Sequence, residues 1–267
     1  MKKFITCGLM ALLLWACGQG ESTEEEPKVE TRVQLNMDSI RKVYTDLIQL
    51  RLEALPLRQV AEKGKLNPVD EAPIDTLFFV FRENLRQLIK DKNVFGLLEA
   101  VDEQIMNGFG DNNGFAAFVT QWELDKPEKA SESKIWGILE EILALGGSFA
   151  SQGRSFEANY ISSTWPDIYA AAEHAAIAGS GVRFRSAPTL QSKTIASISY
   201  DVVKVLEYTE KVETIGGETH PWVKIELLDG REGFVYGKFL RSPIGYRASF
   251  SPNQKGVWQM DSLVTGD

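Results

Sequence analysis

The run GVRFRSAPTLQSKTIASI at residues 181–198, followed by DVVKVLEY at 201–208 and PWVKIELLDGREGFVYGKFL at 221–240, decides how the chain is read. Before it, apolar residues recur at intervals of three and four. From Gly181 they alternate, and turn residues punctuate short β runs, the pattern of a small all-β unit. Along Pro221 to Leu228, Val223, Ile225 and Leu227 share one face of a strand while Trp222, Lys224 and Glu226 share the other. The first face builds an interior, and the second leaves Trp222 beside charged neighbours. Two readings of Trp222 follow. Either it forms a shallow aromatic groove with Tyr208 and Tyr236, suited to an extended or sugar-linked peptide, or it folds over the end of the β unit as a structural ring.

The same blocks resemble a bacterial SH3 (SH3b) domain. Val182, Arg183, Phe184, Arg185, Ser186, Ala187 and Pro188 match the opening of that family, and Lys193, Thr194 and Ile195 its second element. Trp222, Val223, Lys224 and Ile225 match the third, and Asp229 and Gly230 the turn. Gly233, Phe234, Val235, Tyr236, Phe239 and Leu240 match the close. Two departures stand out: Phe234 replaces the usual Trp, and TEKVETIGGETHP is a longer connection than most members carry. The resemblance implies a small barrel that binds peptidoglycan peptides or protein segments. Fold alone does not fix the ligand.

Outward from the barrel, IGYRASFSPNQKGVWQMDSLVTGD gives two β runs about a turn at Pro252 to Gly256. An isolated hairpin is marginal in water, so this one must pair with another part of the chain. In the other direction lie helical patterns. One stripe carries Ile40, Val43, Tyr44, Leu47 and Ile48; a second starts at the N-cap Asp75 and carries Leu77, Phe78, Phe81, Leu85, Leu88 and Ile89, with Arg82, Glu83, Arg86 and Lys90 toward water. A short helix surrounds Leu97 and Leu98. Further helices carry Phe115, Phe118, Val119 and Trp122, then Ile135, Trp136, Leu139, Ile142 and Leu143 before the C-cap glycines Gly146 and Gly147. The expected fold is therefore α+β: a mainly helical domain over 38–179, an SH3-like barrel over 180–243, and a terminal hairpin over 244–267 that returns to the helical region.

At the start, MKKFITCGLMALLLWAC has two lysines and an apolar run too short for the roughly 20 residues of a spanning helix. Leu14, Trp15, Ala16 and Cys17 resemble a lipobox, which implies a signal over 1–16 and a diacylglycerol on the Cys17 sulfur. The polar, acidic stretch over 17–37 reads as a disordered tether. Gly18 behind the cysteine is compatible with outer-membrane sorting. Lipid contributes about 0.8 kcal/mol per buried methylene, so chains on one cysteine anchor the protein to a membrane without help from surface charge.

Loss of Lys2 and Lys3 moves the net charge from −8 to −10, which argues against nucleic acid and against a polybasic hold on lipid. Cys7 leaves with the signal, so no disulfide is expected. His174 and His220 are the only histidines and lack zinc-ligand spacing; His174, among alanines, reads as helix surface. DNNG at 111–114 fails the calcium-loop pattern, because Phe109 would fall at the first ligand position. No Gly-x-Ser-x-Gly elbow occurs. Neither cofactor nor metal is expected, and the chain reads as a binding protein of the envelope, not an enzyme. A second function class stays open: a small-molecule carrier or enzyme accessory with an apolar cavity among Phe78, Phe81, Phe115, Trp122 and Trp136.

Overall fold

The computed structural model describes residues 64–150 and 155–266, together with Asp38, Lys42 and Thr45, which are helical. The expected signal, Cys17, the expected tether and the other residues of the helix expected from Ile40 to Ile48 lie outside the described residues. In chain order the elements are α1 (Thr76–Lys90), α2 (Val94–Glu99), β1 (Val101–Met106), α3 (Phe115–Gln121), α4 (Pro127–Ala130), α5 (Ile135–Ala144), β2 (Ser148–Phe149), β3 (Phe156–Ala158) and α6 (Tyr160–Ser163). Nine further strands follow: β4 (His174–Ile177), β5 (Val182–Arg185), β6 (Thr194–Ile198), β7 (Val202–Ile215), β8 (Glu218–Glu226), β9 (Glu232–Tyr236), β10 (Leu240–Arg241), β11 (Arg247–Pro252) and β12 (Trp258–Val264). No helix among the described residues is long and apolar enough to cross a membrane.

These strands form two sheets, and the expected α+β arrangement with a mainly helical first domain is corrected by them. One sheet has the order β1-β12-β11-β3-β2, the other β10-β4-β7-β8-β9-β5-β6. The described chain is mostly β, and its helices before residue 145 pack on the first sheet instead of making a domain of their own. The physical reasons are local. In β1 the buried residues are Val101 and Ile105, four apart, a helix-like spacing produced by an irregular register against β12. Strands β2 and β3 have two and three residues, too few to show a period. His174, read as helix surface, opens β4 and pairs with Lys204.

The terminal hairpin supplies the middle of the first sheet. β11 pairs with β3, and β12 runs parallel to β1. Helix α1 packs on this sheet, and its N-terminus is capped by Asp75, whose carboxylate accepts the N–H groups of Leu77 (2.8 Å) and Phe78 (2.9 Å). The Phe78 ring then meets Phe156 at 4.3 Å, Trp258 at 4.9 Å and Phe250 at 5.7 Å between centroids. Arg82, expected toward water, is buried, and its guanidinium donates to Asp70 at 2.6 Å while lying over the Phe79 ring.

The second sheet is antiparallel throughout, and its strand β4 lies N-terminal to the boundary at 180 suggested by the sequence. Its inner face is Val182, Phe184, Val203, Val223, Ile225 and Val235, the alternation read in the sequence. The β7–β8 hairpin turns at Gly216 and Gly217, whose φ values of 63° and 87° suit a two-residue turn between right-twisted strands. Register shifts between Val205 and Glu207 and between Tyr208 and Val212 bend this hairpin along its length.

Candidate functional site

The outer face of the second sheet carries the site. On β5, Val182 and Phe184 point inward, so Arg183 and Arg185 point outward; on β8 and β9 the same alternation places Trp222 opposite Tyr236 and Lys224 opposite Phe234. Arg185 is in turn opposite Phe234, which brings two arginines, two phenol or indole rings and Phe234 onto one surface.

The distal part of the β7–β8 hairpin covers part of that surface. The Trp222 indole N–H donates to the Glu213 carboxylate at 3.1 Å. The Tyr236 hydroxyl lies 2.9 Å and 2.6 Å from the carbonyl oxygens of Glu213 and Glu218 and accepts the His220 backbone N–H at 3.1 Å. The surface reading of Trp222 and Tyr236 is therefore corrected: Trp222 is 1% exposed and Tyr236 4%, because the long connection noted in the sequence folds over them. Their rings stand 5.7 Å apart. Tyr208, the third residue read into the groove, is not with them. It is opposite Val223 on β7 and 62% exposed.

What remains open is a cavity of about 200 Å³. Trp222 and Tyr236 contribute to its floor, Arg183 and Arg185 bring charge, and the exposed Leu190 and the half-buried Ile215 bring apolar edges from the 186–193 loop and the hairpin. The loop is shaped by its own hydrogen bonds: Ser186 N–H donates to Lys193 O at 3.0 Å, and the Ser192 hydroxyl lies 2.8 Å from both Ala187 O and Thr189 O. The Arg185 guanidinium donates to Ser192 O at 2.7 Å. Glu213 joins loop and hairpin, accepting from the Thr189 hydroxyl (2.8 Å), the Leu190 N–H (3.1 Å) and Trp222. Burial pushes the Glu213 carboxyl up, but these hydrogen bonds together outweigh it and hold it below the usual carboxylate range.

Sequence reasoning missed Arg183, Arg185, Leu190, Ile215 and Glu213. The alternation of VRFR already turns both arginines to the Trp222 face; what it lacks is the register that seats β5 beside β9.

The rings considered for a carrier cavity lie in the first core. Phe78, Trp122 and Trp136 are buried there, with Phe81 and Phe115 packed against them. The Trp136 indole N–H donates to Ala130 O at 2.7 Å. The DNNG turn is held by side-chain amides: Asn113 accepts from Asn107 N–H at 2.7 Å, and Asn107 donates to Gly114 O at 3.0 Å. Comparison of the chain with protein families, curated proteins and solved structures returns no match.

Proposed function

We propose that the chain is a cell-envelope lipoprotein, held in the outer membrane by lipid on Cys17, whose seven-stranded sheet is an SH3-type module that binds a peptidoglycan peptide. The observation that carries the reading is the cavity over Trp222 and Tyr236. Its volume of about 200 Å³ is below the roughly 300–1,000 Å³ of small-molecule sites, so it suits one small side chain or chain end of an extended ligand. Aromatic rings with satisfied polar atoms give such a cavity a rigid apolar floor, which limits the entropy lost on binding. In this reading the protein acts by binding, and the Glu213 carboxylate serves to brace the cavity wall, engaged by three donors.

Sedimentation with purified sacculi tests the proposal. The intact chain is expected to pellet with them, Leu190→Glu to lose pelleting, and Tyr208→Ala to keep it, since Tyr208 stands apart from the cavity. Trp222→Ala is uninformative, because removing a buried ring unfolds the module as readily as it empties the site. No pelleting of the intact chain at moderate salt would sink the proposal.

A further inference from the structure

We infer that the cavity reads a free carboxylate, so that, within the binding function proposed above on which this rests, the ligand is an extended peptide held by a carboxylate-bearing end with a small side chain. The arginines of the described chain differ in their partners. Arg82, Arg86, Arg231 and Arg241 each sit on a carboxylate, and Arg247, without an ion pair, gives its N–H groups to Gly245 O and Gly266 O and lies over the Phe109 ring. Arg183 and Arg185, side by side on the outward face of β5, form no ion pair among the described residues. Arg185 gives one N–H to Ser192 O, and the Arg183 side chain makes no hydrogen bond among the described residues. In a chain of net charge −8, two arginines at one cavity, against the single acid Glu213 that braces its wall, are a local reversal of sign.

Chemistry then selects the ligand group. A guanidinium presents five N–H donors in a planar fork that matches a carboxylate in two parallel hydrogen bonds. With one donor of Arg185 committed to the loop, the pair keeps enough N–H groups to hold one carboxylate and to approach a second. Glu213 makes no ion pair with either arginine; its carboxylate faces Thr189, Leu190 and Trp222. The space behind the arginines is lined by Trp222, Tyr236 and Phe239 together with Val182, Leu190 and Ile215, and amounts to the volume of roughly six or seven waters at about 30 Å³ each, room for a terminal carboxylate together with a small aliphatic side chain. A peptide end joining a carboxylate to a small aliphatic side chain satisfies both parts of the cavity.

Titration calorimetry on the full chain tests this with a synthetic peptidoglycan stem tetrapeptide, as the free acid and as its fully amidated form. The free acid is expected to bind and the amide to bind roughly tenfold to a hundredfold more weakly, the factor a charge-assisted hydrogen bond supplies. Arg183→Ala is expected to weaken the free acid by a similar factor and leave the amide unchanged. Arg183 is exposed, so the variant keeps its fold, which circular dichroism verifies. Arg185→Lys, keeping the charge but losing the fork, is expected to fall between. Equal binding of acid and amide, equal weakening of both by Arg183→Ala, or displacement of the peptide by inorganic phosphate at matched ionic strength would each overturn the inference. If neither peptide binds while sacculi still pellet the chain, the carboxylate reading falls and the binding function stands; if sacculi fail too, both fall.

Discussion

The indole of Trp222 and the carboxylate of Glu213 meet at 3.1 Å, and that bond ties the cavity floor to the distal part of the hairpin above it. Glu213 also takes the Thr189 hydroxyl and the Leu190 N–H, so one side chain fixes the relative position of floor, hairpin and loop. The spacing between Leu190 and Ile215, and with it the mouth of the cavity, follows from this three-way contact.

The contact has a direction with pH. Burial raises the Glu213 carboxyl, but the hydrogen bonds outweigh it and leave it below its ordinary value of 4.5. A carboxyl depressed in the folded state contributes stability that is complete above its unfolded value and is lost as pH falls through the folded one. Glu213→Gln is therefore expected to melt below the parent protein at pH 7, with the gap narrowing as pH falls below 4.5. Calorimetric scans of both proteins across that range check it. A gap that stays constant with pH would show that the ionised form has no special role.

Gly233 permits the close approach of β9 to β5 that seats Arg185 beside the cavity. A Cβ there would lie 2.6 Å from the Arg185 carbonyl oxygen and 2.7 Å from the Phe184 ring, and backbone on one side with a buried ring on the other leaves neither free to yield. Gly233→Ala is expected to destabilise by about 1–3 kcal/mol, the cost typical of overpacking. Urea unfolding followed by tryptophan fluorescence measures it, and a midpoint within error of the parent would refute the steric argument.

Which parts were legible in the sequence follows from which interactions are local. The Asp75 cap, the α5 stripe and the inward Val223–Ile225–Leu227 face could be read because the deciding neighbours lie within a few positions, whereas the α1 stripe was read only in part: Phe78, Leu85, Leu88 and Ile89 are buried, but Leu77 is exposed and Phe79 and Arg82 are buried in its stead. β1 could not, because its partner β12 is more than 150 residues away and its buried residues mimic a helix. The outward side of Trp222 was legible, since alternation fixes it, but its burial was not. That depends on register shifts in β7 which carry Glu213 back over the sheet, and no local pattern encodes where a hairpin bends. Tyr208 illustrates the same limit: it shares a strand with Glu213 yet stands exposed and outside the cavity.

Phe78 is the residue on which the first core converges. Its ring is fully buried and touches rings from α1, β2, β3, β11 and β12. Phe78→Ala is expected to cost about 3–5 kcal/mol, at the upper end of large-to-small changes because five neighbouring rings cannot all close in on the void. Chemical denaturation gives the value, and a loss under about 1 kcal/mol would mean that the cluster repacks freely.

The terminal hairpin belongs to the helix-bearing core and not to the second sheet. β11 and β12 are interior strands of the first sheet, and without them β1 has no partner while β3 keeps only the two-residue β2. Phe250, Trp258, Met260 and Leu263 are buried in the same core as Phe78. Four such side chains at about 1.5–3 kcal/mol each amount to roughly 6–12 kcal/mol, comparable with the 5–15 kcal/mol that holds a whole domain. Removing residues 245–267 is therefore expected to unfold the region from Thr76 to Ala144 at room temperature. The long β7–β8 ladder draws its pairing from β4 and β9, so its amides should keep their protection. Hydrogen exchange on the truncated chain separates the two regions: unprotected amides in α1 and α5 beside protected amides in β7 and β8 is the expected pattern. If α1 and α5 remain as protected as in the full chain, the hairpin is an accessory to a core that stands without it.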